Sequence, residues 1–138
     1  MIQNEVIRNV ASFLFDCIEA SKTFSYAIVT HDRSENIFTQ FFVVGDQNEK
    51  PNGEIQVEIV GVEYAQPICP SDSERFLALI KSGWEEDDGN AQKFVGRLHN
   101  LSDVTKLVEN TMLSLMAVYQ IDSNSEWSIE FNQEAIKN

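Results

Sequence analysis

Basic residues are scarce in this chain: ten Lys and Arg stand against twenty-two Asp and Glu in 138 residues, a formal charge of -12. Such a field repels phosphate backbones and anionic lipid, and no Lys or Arg cluster interrupts it, so neither a nucleic-acid nor a membrane partner is expected. Cysteine is as sparse. Cys17 and Cys69 lie far apart with no C-x-x-C, which excludes a disulfide framework and a zinc knuckle. Cys17 falls on the apolar stripe of a predicted helix and reads as a small buried hydrophobe. No apolar run approaches membrane-spanning length. Glu5, Asp16 and Glu19 break up the N-terminal apolar residues where a secretion signal needs them continuous, so a cytoplasmic location is expected. Asn100-Leu101-Ser102 matches a glycosylation sequon and, without such a signal, reads as coincidence.

What is present is an ordinary globular composition, 43% hydrophobic, in a length that suits one domain over residues 1–138 with a core needing no metal or disulfide. Between Ile2 and Ala20, Val6, Val10, Phe13, Leu14, Cys17 and Ile18 recur at spacings of three and four, the face of a helix. Alternation replaces that spacing at Phe24, Tyr26 and Ile28. After a polar turn at His31 to Asn36, Ile37 to Val44 is rich in β-branched and aromatic residues, so two strands joined by a hairpin loop are predicted. Pro51-Asn52-Gly53 signals another turn. Ile55, Val57 and Ile59 then alternate with Glu54, Gln56 and Glu58, giving a strand with one dry and one wet side. Pro67 and Pro70 should end it.

Ser71 and Glu74 have capping-box spacing ahead of Phe76, Leu77 and Ile80, and Gly83 is placed to end that helix and turn Trp84 back over it. An acidic turn is expected at Glu85 to Asp88 and a strand over Lys93 to His99. The last long helix is expected to be capped by Ser102 or Asp103, burying Val104, Leu107, Val108, Met112, Leu115 and Met116. From Ser123 onward, Trp127, Ile129 and Phe131 alternate with polar residues, as a fifth strand or as an arm docking elsewhere. The predicted fold is therefore α+β, an antiparallel sheet with helices on one face, in the order α-β-β-β-α-β-α.

Nothing in the chain resembles a reaction centre. His31 and His99 have no Ser, Cys or carboxylate partner at a diagnostic spacing; His31 reads as a solvated loop residue and His99 as structural. The run Glu85, Glu86, Asp87, Asp88 lacks the spacing of a calcium loop, and Asp46, Asn48, Lys50 puts a cation where an oxygen is needed, so both read as solvated loops. No phosphate-cradling glycine loop, H-E-x-x-H or G-x-S-x-G is present. No catalytic residue, metal site or cofactor is expected.

One feature does stand out. The second predicted strand is apolar on both sides: with Ile37, Phe41 and Val43 facing the helices, Phe38, Phe42 and Val44 point outward, beside Ala27 and Val29 of the first. Burying a Phe or Val side chain is worth about 1.5–3 kcal/mol, so an outward stripe of this kind either receives Trp127, Ile129 and Phe131 of the same chain or offers several kcal/mol to a partner. Val29, Phe38, Phe42 and Val44 are the candidate contact residues.

The element order resembles that of type III secretion chaperones and of YbjN-like, peptide-binding chaperone domains. The wording of the resemblance lies in Phe76-Leu77-Ala78-Leu79-Ile80-Lys81-Ser82-Gly83-Trp84, then Phe94-Val95-Gly96-Arg97, then a long helix ending near Val118-Tyr119-Gln120-Ile121. It implies a small acidic domain, often a homodimer, that holds an unfolded or extended polypeptide against its sheet and has no catalytic residues. The expected partner is a polypeptide client or a second copy of the chain; a homodimer without a client is the alternative.

Overall fold

The computed structural model describes residues 1–45, 48, 50–65, 69, 71–96, 98 and 100–133. Asp46, Pro67, Pro70, Arg97 and His99, each given a role above, lie outside them. Three helices and six strands follow in the order α1 (Gln3–Glu19), β1 (Tyr26–His31), β2 (Ser34–Gly45), β3 (Pro51–Ile59), α2 (Asp72–Lys81), β4 (Glu85–Asp87), β5 (Asn90–Val95), α3 (Leu101–Tyr119) and β6 (Trp127–Asn132). The strands form one antiparallel sheet in the order β4-β5-β3-β2-β1-β6, and the fold is α+β.

Period-two alternation decides which side of the sheet each residue takes. Ala27 and Val29 of β1, Thr39, Phe41 and Val43 of β2, and Ile55, Val57 and Ile59 of β3 are all fully buried on the helix side. They meet Val6, Val10, Leu14 and Cys17 of α1 and Val104, Val108, Met112 and Leu115 of α3 in one core. The third helix lies outside these two: the Arg75 Nε donates to the Val118 carbonyl at 2.7 Å, tying α2 to the end of α3.

The C-terminal run is an added strand, not an arm across the open face. β6 pairs with β1, setting Trp127 opposite His31 and Phe131 opposite Ala27. Trp127 is thereby buried and Phe131 packs on Phe13 of α1, ring centroids 4.5 Å apart. This pairing also corrects the expectation for His31. Instead of standing in solvent it is 8% exposed, edge-on to the Trp127 ring at 5.1 Å.

Local punctuation differs from expectation at five places: the turn expected at Pro51 to Gly53 is the beginning of β3, the strand expected over Lys93 to His99 runs Asn90–Val95, and three more concern a turn and two caps. The acidic turn is a strand, β4, joined to β5 through Asp88 and Gly89, both at positive φ (51° and 84°), the geometry that lets a two-residue turn match strand twist. Ser71 is already in helical conformation and makes no side-chain cap; the Asp72 carboxylate instead accepts from the Cys69 N–H at 3.0 Å and pairs with Arg75. α3 is capped by Asn100, whose side-chain oxygen accepts from the Asp103 N–H at 2.9 Å. Gly83 behaves as expected, with φ of 118°, and Trp84 joins the core.

Candidate functional site

The face of the sheet turned away from the helices is built by the even-numbered residues of β1, β2 and β3. Cross-strand pairing lays them out in rows. One row runs Asn132, Tyr26, Phe42, Gln56, Phe94; the next runs Glu130, Ile28, Gln40, Glu58, Gln92, Glu85; a third begins Ser128, Thr30, Phe38. None of these side chains is buried, and Phe94 stays 50% exposed. Phe24 extends the surface beyond Tyr26, 41% exposed with its ring 5.9 Å from that of Phe42.

Read across the strands, the face has three zones. β1 and β2 supply the apolar middle: Tyr26, Ile28, Phe38, Phe42 and Val44. β6 supplies Glu130 on one flank; on the other, β3 supplies Glu54 and Glu58 and β4 supplies Glu85 and Asp87, with Gln92 and Phe94 of β5 between them. A depression of about 220 Å³ between Gln40, Phe42, Gln56 and Glu58 marks the border of the apolar and acidic zones. Burial, reinforced by Asp87 and Asp88, raises the Glu58 carboxyl above its ordinary range. Its Oε1 accepts from the Asn90 side-chain amide at 3.3 Å. Carboxyl groups are thus gathered along that flank, and the one at Glu58 takes up a proton more readily than an ordinary glutamate.

Three of the four contact residues taken from the sequence lie here: Phe38, Phe42 and Val44, with Phe38 also leaning on the core. Val29 does not. It pairs with Thr39 and Ile129 and is fully buried on the helix side. The sequence reading took the large residues of β1 for core and the small ones for surface, whereas the opposite assignment holds because α1 runs close beneath Ser25, Ala27 and Val29. Cys17 of α1 reaches Ser25, whose hydroxyl hydrogen-bonds it, and burial raises the thiol's pKa. Tyr26, Ile28, Phe24 and Glu130 were therefore missed. The register decides it: Tyr26 opposite Phe42 and Ile28 opposite Gln40 send the even residues of both strands outward, whereas a slip of one residue would send the odd residues of β1 there.

A second hollow, of about 400 Å³, lies at the end of β1 among His31, Asp32, Arg33, Asp122, Asn124, Ser125 and Glu126. Among the described residues no group of three His, Cys, Asp or Glu side chains is arranged to hold a metal ion, and no helix is long and apolar enough to cross a membrane. The open sheet face gathers the part-exposed Tyr26, Ile28, Phe38, Phe42 and Val44 with the exposed Phe24 and Phe94 on one surface. The chain matches no family model, no curated protein and no solved structure.

Proposed function

We propose that this chain is a non-enzymatic, cytosolic, chaperone-like module that holds a polypeptide partner against the open face of its sheet. The observation that carries the reading is the apolar middle zone, where Tyr26, Ile28, Phe38, Phe42 and Val44 keep solvent contact between two acidic flanks. These five side chains are already part-buried, so covering what remains of each adds a fraction of about 1.5–3 kcal/mol, and a held segment must draw on the whole zone together with the exposed Phe24 and Phe94 to offset the entropy of association. The acidic surroundings keep the free face from collapsing on other copies. The likeness of Leu77 to Trp84 and of the last helix to YbjN-like and type III secretion chaperone domains agrees with this reading.

The test uses a permanently unfolded chain, a reduced and carboxymethylated model protein, immobilised for surface plasmon resonance. Wild type should bind it at micromolar concentration, and the double variant Phe38→Asp, Phe42→Asp should lose at least tenfold in affinity while its circular dichroism is unchanged. Phe42→Asp alone guards against an effect of Phe38 on the core. Equal binding by wild type and Phe42→Asp would reject the proposal.

A further inference from the structure

The occupant of a sheet face, unlike that of a sheet edge, finds no free backbone groups to pair with. Among the interior strands β5, β3, β2 and β1, the N–H and C=O groups are taken by neighbouring strands on both sides. A segment lying across them must satisfy its own backbone, and an α-helix does so internally. The dimensions agree. From Phe38 to Val44 the apolar zone runs six residue steps along β2, about 20 Å. That length matches about 13 residues of helix. Three strand spacings, about 14 Å, separate β6 from β3, and a helix with its side chains is about 10 Å wide. Glu130 therefore lies along one border of such a helix and Glu54 and Glu58 along the other.

Resting on the polypeptide-binding reading above, we infer that the face takes an amphipathic helix of about 13 residues, apolar on the buried side and carrying Lys or Arg along both borders. Charge complementarity selects this occupant over a second copy of the chain. Two such faces packed against each other would bring Glu54, Glu58, Glu85 and Glu130 of each copy toward those of the other, with no basic side chain among the described outward residues of these strands to answer them. A basic helix pairs the same carboxylates instead, and long Lys stems reach them while covering the apolar border.

The experiment titrates the full chain with three labelled synthetic 14-residue helical peptides and reads fluorescence anisotropy. Each peptide carries Leu at i, i+3, i+4 and i+7, with borders of Lys, of Gln or of Glu. The Lys-bordered peptide should bind at least tenfold tighter than the Gln-bordered one at 50 mM salt, and the gap should narrow at 300 mM as screening shortens the reach of the carboxylates. Glu58→Gln with Glu130→Gln should weaken the Lys-bordered peptide about tenfold. The same two-charge change at Glu19 and Glu109, away from the sheet, should cost less than twofold. Equal losses from the two double variants mean diffuse attraction to an acidic protein and overturn the inference. So does equal affinity for the Lys- and Gln-bordered peptides, which leaves the apolar reading standing. Absence of binding by all three peptides, or a wild-type dimer in sedimentation that Phe42→Asp dissociates, overturns it too, while the reading beneath it stands or falls separately on the unfolded-chain binding described above.

Discussion

Gly61, just past the end of β3, shows how tightly single positions are specified. A Cβ built there would lie 1.7 Å from the Gly89 carbonyl oxygen, backbone that cannot step aside, and the Gly61 N–H donates to the Asn90 side chain at 2.7 Å. Gly61→Ala should therefore destabilise by about 2 kcal/mol or more, measured as a lower urea midpoint, because the β4–β5 hairpin must move away. His31 makes the second residue-scale prediction. Neither of its ring nitrogens, nor the Trp127 indole N–H, has a hydrogen-bond partner among the described residues. Burial depresses the imidazole below its ordinary 6.5, with Asp32 opposing and Arg33 adding to the effect. The unfolded chain then takes up a proton at about pH 6.5, where the folded chain does not. Stability contributed by neutral His31 is complete above that pH and lost as pH falls through 6.5 toward the folded value. The urea midpoint should drop further between pH 7.5 and 5.5 in wild type than in His31→Gln. Glu58, raised rather than lowered, shifts stability in the opposite direction but does so equally in both proteins. Identical pH slopes would contradict the account.

Among the elements, β6 carries the most for its length. It shields one edge of β1, brings Trp127 against His31 and seats Phe131 on Phe13. Trp127→Ala should cost about 3–5 kcal/mol, followed by circular dichroism because the mutation removes a fluorophore. Helix faces and β3 were legible in the sequence because their apolar residues recur with periods of 3.6 and 2, and β1 and β2 were legible as strands by composition though not in which side of β1 faces the helices. The tail was legible as a strand pattern but not in its position, because Trp127, Ile129 and Phe131 would alternate in the same way against either side of the sheet. The β4–β5 hairpin was hidden by composition: Glu85 to Asp88 looks like solvated loop, although Asp88-Gly89 is itself a two-residue turn signal. Caps fell two or three residues from expectation at α3, where Asn100, Ser102 and Asp103 all carry suitable oxygens and only the extended backbone of Asn100 (φ -140°, ψ 160°) decides among them.

At the scale of the whole molecule the charge imbalance and the bare sheet face belong together. An apolar surface of this kind promotes indiscriminate association unless something opposes it, and the acidic borders supply the opposition. Phe38→Asp with Phe42→Asp adds to that opposition, so the variant is expected to fold, to stay dispersed and, on the proposed function, to bind an unfolded chain at least tenfold more weakly. The stripe itself could be read from Ile37 to Val44, an apolar run broken only by Thr39 and Gln40 and too short for a helix of its own. Its true extent could not, because the membership of Val29 or Ile28 turns on a register that one residue of slip inverts.

The three-residue fringe of β4 has one more effect. Its outer rim is the end of the sheet, and Glu85, Glu86 and Asp87 all stand exposed along it. A terminal strand of that composition refuses a second terminal strand of the same kind, so pairing of two copies through their β4 rims is opposed. Exchange those three side chains for valine, and the refusal becomes an invitation.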